Sequence, residues 1–161
     1  MKVRLYRNLK IRDKRAWSIM AQEGPKKGKV IDIVSGAVIN NARFLVSEAG
    51  RQRVIREKSK NVHAFVEGTL VSSTPLDSAP RTRRAGLSPI TYDPYRFSQF
   101  QRLDCNETIK TSPHVIIDDK GVAAEAGPCG VLQGLRGRRR GLKRGVARAC
   151  SLTWDCGEVG R

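Results

Sequence analysis

Residues 46–68 read VSEAGRQRVIREKSKNVHAFVEG, and inside them the hydrophobic period changes from that of a helix to that of a strand. Ser47 has the short oxygen-bearing side chain that caps a helix, and Glu48 beside it places a negative charge at the positive end of the helix dipole. Val46, Gly50 and Val54 then recur at i, i+4 and i+8, so one face can bury, and Ile55 widens that stripe. Arg53 and Arg56 fall on the opposite face with Ala49 and Gln52, and Arg53 can pair with Glu57 one turn later. These features predict a helix over Glu48–Lys58. Glycine inside it costs about 1 kcal/mol relative to alanine, so Gly50 implies close approach to a sheet beneath. After Lys60 and Asn61 the pattern alternates, with Val62, Ala64 and Val66 against His63, Phe65 and Glu67, as a central strand over Val62–Val71 requires.

Outward from this block, short apolar runs are separated by turn residues. Val3–Arg7 reads as an edge-like strand and Ala16–Met20 as a second, followed by a turn at Gly24-Pro25-Lys26-Lys27-Gly28. Lys29–Val34 and Ala42–Val46 read as two further strands, with Gly36 and Asn40-Asn41 as punctuation between them. Ser72–Ser88, which contains Arg81-Thr82-Arg83-Arg84, has the composition of a mobile loop. Pro89–Tyr92 and His114–Ile117 read as strands flanking an aromatic loop, and beyond a turn at Asp118–Gly121 the pattern fails. Such short spacings favour antiparallel pairing over strand–helix–strand units. The expected architecture is a single α+β domain over residues 1–121: a small, mainly antiparallel, partly barrel-like sheet of five to seven strands with one helix. Residues 122–161 are expected to form a disordered basic C-terminal tail. Gly134–Gly145 alternates glycine with arginine and lysine and cannot build a core. It reads either as an arm gripping phosphates or as an unselected extension.

With 161 residues the chain suits one domain. Its 31 Lys and Arg against 15 Asp and Glu give a net charge of +16, which implies attraction to polyanions. Residues 1–127 alone carry 23 basic and 13 acidic side chains, a net of +10, so the implication does not depend on the tail. The N-terminus alternates charge and bulk, and no apolar run approaches the length of a membrane span. The expectation is a soluble cytoplasmic protein without a membrane partner. Cys105, Cys129, Cys150 and Cys156 are irregularly spaced and read as free thiols; no metal site and no cofactor is expected.

The run AGR-x-RV-x-REK-x-KNVHAFV over Ala49–Val66, followed by TY-x-PY at Thr91–Tyr95, resembles a family of small uncharacterised proteins of tailed bacteriophages and prophages. That resemblance implies a phage-type accessory protein in a host cytoplasm and supplies no activity.

Catalytic signatures such as phosphate-binding glycine loops or zinc-protease motifs do not occur. His63 and Glu67 are i, i+4 on a strand, about 13 Å apart, too far for an acid–base pair. Cys105 has no neighbouring base. An enzyme is therefore the least favoured class. Two basic stretches remain as candidate nucleic-acid contacts. Arg51, Arg53, Arg56, Lys58 and Lys60 crowd one helix-to-strand segment, against the plain alternative of a solvated helix face. Tyr92, Tyr95 and Arg96 offer stacking faces and a phosphate donor, against the alternative that a domain poor in aromatics uses them to close its core. Binding of DNA or RNA, or a regulatory role, is the leading expectation; an acidic host protein steered by the same field is the alternative.

Overall fold

A computed structural model of the chain describes residues 1–11, 15–78 and 86–125. The strands are β1 Lys2–Arg7, β2 Trp17–Ala21, β3 Val30–Val46, β4 Ala64–Pro75, β5 Leu87–Thr91, β6 Gln101–Arg102, β7 Thr111–Asp118 and β8 Gly121–Glu125, with the helix α1 Glu48–Glu57 between β3 and β4. They form one sheet in the order β2-β1-β4-β3-β7-β8-β5-β6, and every pairing is antiparallel. The α+β architecture with one helix is the one the sequence predicts. Because β2 also pairs with β3, the pairings of the first four strands close on themselves, while β7, β8, β5 and β6 extend as an open wing. Among the described residues no helix is long and apolar enough to cross a membrane.

The closed part and the wing share one core. Val3 and Leu5 of β1, Trp17 and Ile19 of β2, Ile39 and Phe44 of β3 and Val66 of β4 are buried together with Phe100, Val115 and Ile117. Removing each such side chain from water stabilises the fold by about 1.5–3 kcal/mol. Trp17 is buried without stranding its polar atom, since the indole N–H donates to the carbonyl of Asp118 at 3.2 Å.

Several boundaries differ from the sequence reading, each for a local reason. The two strands expected around Gly36 and Asn40-Asn41 are one strand of 17 residues, β3. Its register against β4 shifts between Val34 and Gly36 and between Asn40 and Arg43, so the punctuation residues are bulges. Asn41 takes a positive φ of 51°, a conformation asparagine tolerates better than most residues. β1 is not an edge, being paired to β2 and β4. Val62 lies outside the strand, 41% exposed, and β4 runs on through Pro75. The Ser35 hydroxyl reaches the carbonyls of Pro75 (2.9 Å) and Ser78 (2.8 Å), so residues 72–78 of the expected loop are held in place. Residues 79–85 of that loop, with Arg81, Arg83 and Arg84, lie outside the described residues.

The sheet also continues past residue 121. Val122, Ala123 and Ala124 are buried in β8 and pair with Ile117, Ile116 and Val115, across a two-residue turn in which the Asp118 carboxylate accepts from the Lys120 N–H. The tail expected from residue 122 therefore loses its first residues to the domain. The expectation of disorder for residues 126–161 lies outside the described residues.

α1 forms where its signals place it. The Ser47 hydroxyl accepts from Gly50 N at 3.4 Å, and Lys58 ends the helix with φ 51°. Val54 is the buried residue of the helix, 2% exposed, while Arg53 faces water. Val54→Ala should lower stability by about 1–3 kcal/mol and Arg53→Ala by under about 0.5 kcal/mol, measured by denaturant unfolding. Equal losses would show that the faces are misassigned.

Candidate nucleic-acid interface

The helix-to-strand segment divides by burial into an inner and an outer set. Arg51 belongs to the inner set: its side chain is 15% exposed, its Nε donates to the carbonyls of Pro94 (2.9 Å) and Phe97 (3.0 Å), and its Nη1 donates to Glu48 (2.8 Å). The guanidinium thus fastens α1 to the Tyr92–Phe100 loop and is committed to the fold. Gly50 lies in contact with β4's entry, where a Cβ would come within 2.7 Å of the His63 Cβ. His63 is 3% exposed; its Nδ1 is 2.7 Å from the Asn61 carbonyl, which fixes Nδ1 as the protonated nitrogen. Its ring lies 5.5 Å from that of Tyr92, which in turn lies 5.1 Å from Phe100, itself 5.2 Å from Phe44. The two sequence stretches singled out above are therefore one packed unit.

The outer set carries the charge. Arg53, Arg56, Lys58 and Lys60 are exposed. Arg53 Nε (2.9 Å) and Arg56 Nη2 (3.3 Å) both donate to Glu57, so one carboxylate is shared between two guanidiniums and positive charge is left over. The hydrogen bond from Arg53 holds the Glu57 carboxyl below its ordinary range, and the same bond raises Arg53. Glu48 is likewise lowered, chiefly by the side-chain bond from Gln52. Lys58 and Lys60 make no ion pair among the described residues. In the aromatic loop Tyr92 is 5% exposed, a member of the core and not a stacking platform. Tyr95 is 46% exposed and Arg96 is exposed, its guanidinium 5.7 Å from the Phe97 ring centroid. The loop is divided, with Tyr92 and Phe100 buried and Tyr95 and Arg96 exposed.

Of the eight expected contacts, six are thus available to a ligand and Arg51 and Tyr92 are structural. A small cleft of about 30 Å³ opens beside them, lined by Arg7, Leu9, Asn61, Val62, His63, Ala64, Tyr92 and Pro94. It offers no acid–base pair. Glu67 is bound to Arg4 (2.8 Å from Nε), which stacks over Phe65 at 4.1 Å. Cys105 is half-buried and in no disulfide, and its neighbour Asp104 is held well below the carboxylate range by hydrogen bonds from Ser88 and Arg102. A carboxylate so stabilised is a poor base for activating the thiol. Among the described residues no group of three or more His, Cys, Asp or Glu could hold a metal ion.

Sequence reasoning misses one cationic element, because Gly24–Gly28 reads only as a turn and Lys29 only as the first residue of a strand. Lys26, Lys27 and Lys29 are all exposed on it, and the signal was present as three lysines within four residues.

Comparison with known proteins gives one family. The family described as Mycobacterium phage L5 gene 82 protein matches residues 1–125, the span through the end of β8. The "Gene 82 protein" of Mycobacterium phage L5 is 33% identical over 127 residues, covering 77% of this chain and 95% of that protein. No solved structure matches.

Proposed function

The chain belongs to the Mycobacterium phage L5 gene 82 protein family, and on that premise we propose that it is a non-enzymatic phage accessory protein that binds DNA or RNA in the host cytoplasm. The observation that carries this reading is the outer set of the helix-to-strand segment. Arg53, Arg56, Lys58 and Lys60 stand exposed within eight residues, with Glu57 as their nearby carboxylate, while Arg51 and Val54 on the inner side of the same segment are committed to the fold. A surface of this kind draws phosphates without reading sequence, by releasing condensed counterions. Tyr95 and Arg96 add an exposed ring and a cation, which suit an unpaired strand.

The test is a salt series on a chain ending at Gly127, which removes the cations of the tail. Affinity for DNA and RNA oligonucleotides should fall steeply with salt, and the combined change Arg53→Gln, Arg56→Gln and Lys58→Gln should flatten the log–log slope by about two to three units. Melting temperature should be unchanged, because all three side chains lie outside the core. Absence of binding at about 50 mM salt would remove the nucleic-acid reading and leave an acidic host protein as the partner to seek.

A further inference from the structure

We propose that the tip of the β2–β3 hairpin, Gly24–Lys29, is a preformed second contact for a nucleic-acid phosphate backbone, separate from the helix segment; this rests on the nucleic-acid reading above. Every residue from 23 to 30 is exposed, and among the described residues no carboxylate pairs with Lys26, Lys27 or Lys29. Glu23, the acid next to them, is engaged by the start of the chain, accepting from Lys2 N at 2.7 Å with the terminal amine at 3.8 Å. The three ammonium groups therefore have no neighbouring carboxylate committed to them on the tip.

The tip is ordered by its own backbone. Lys27 N donates to Gly24 O (3.1 Å), Lys29 N to Lys26 O (3.0 Å), Gly28 N to Ala21 O (2.8 Å) and Ala21 N to Lys29 O (3.1 Å). Gly24 and Gly28 take φ values of 79° and 77°, a region open to glycine and strained for other residues. A turn already fixed in this way loses little backbone freedom on binding, so its lysines meet a polyanion at low ordering cost. No aromatic side chain lies on the tip, and lysine is a compact point charge without the planar fork of a guanidinium. Phosphate oxygens are the group that suits it.

Its position makes the contact independent. Gln22 N donates to Lys2 O, which places the tip at the Lys2 end of β1, while Arg7 at the other end lines the cleft with Asn61–Ala64, directly after the helix segment. Six residues of strand separate these ends by about 17 Å. A duplex presents about ten charges over that length.

The experiment uses the full chain with Lys26→Gln, Lys27→Gln and Lys29→Gln combined, and measures binding of duplex DNA and RNA oligonucleotides between about 50 and 300 mM salt. The changes fall on exposed turn positions, and an unchanged melting temperature will show that the fold is kept. The expected result is a log–log slope flattened by about two to three units, in addition to the flattening from the helix triple variant. If the helix variant alters the slope and the hairpin variant leaves slope and affinity at their original values, the hairpin is only a solvated turn; the inference falls and the functional reading stands. If the chain binds neither oligonucleotide, both fall. Preferential binding of polyglutamate over an oligonucleotide of equal charge, lost in the hairpin variant, would overturn the phosphate assignment in favour of an acidic polypeptide.

Discussion

Gly68→Ala is expected to destabilise the fold by about 3 kcal/mol or more, the upper end of what overpacking costs. Gly68 pairs with Val3 of β1 on one side, and on the other faces the bulge where β3 shifts register between Asn40 and Arg43. A Cβ there would meet the Ile39 methyl, the Asn40 carbonyl oxygen at 2.7 Å and the Ala42 Cα at 3.1 Å. Two of these three atoms are backbone and cannot rotate away, so β3 and β4 would have to separate at the centre of the sheet. Gly50→Ala makes an instructive companion because propensity and packing oppose each other. Alanine favours the helix by about 1 kcal/mol, yet its Cβ would lie 2.7 Å from the His63 Cβ. A net loss of about 1–2 kcal/mol is expected, and a gain in stability by thermal or denaturant unfolding would show that α1 can shift off His63 freely.

Arg51→Ala should cost about 2–4 kcal/mol, more than any of its four exposed basic neighbours. The guanidinium joins two carbonyls of the aromatic loop to α1, and hydrogen bonds from charged groups contribute about 1.5–3 kcal/mol each. Arg51→Lys should recover little, since an ammonium cannot present the planar Nε–H between Pro94 O and Phe97 O while its neighbouring nitrogen meets Glu48. Unfolding curves of Arg51→Ala and Arg56→Ala side by side provide the measurement. Similar midpoints would mean that Arg51 is not the fastener the geometry makes it.

The sequence carried the local features and missed the distant ones. Ser47, Glu48 and Val54 could be read because a cap, a dipole partner and a buried stripe are set by neighbours within two turns. Gly50 could be read because it breaks a propensity rule that only close packing justifies, although nothing indicated that His63 was the residue it packs on. Arg51 was grouped with the other arginines because its fixed partners are 43 and 46 residues away. Gly36, Asn40 and Asn41 suggested turns because bulges recruit the same residue types for the same backbone freedom. Val122, Ala123 and Ala124 were lost to the tail because alanine gives a weak strand signal, and their burial follows from β7 lying alongside. The charge on Lys26, Lys27 and Lys29 was visible, but only the hairpin shows that it projects from the sheet on a fixed turn.

One short segment divides its arginines: Arg51 is held inside, while Arg53 and Arg56 are exposed, where we propose that they meet phosphate. An ¹H–¹⁵N spectrum of the arginine Nε–H groups, recorded while a DNA or RNA oligonucleotide is added at low salt, tests this directly. The Nε–H signals of Arg53 and Arg56 should move with saturation, as the Arg53 Nε and Arg56 Nη2 bonds to Glu57 give way to phosphate, while that of Arg51 stays at its position between the carbonyls of Pro94 and Phe97. Movement of the Arg51 signal with Arg53 and Arg56 unmoved would contradict the account.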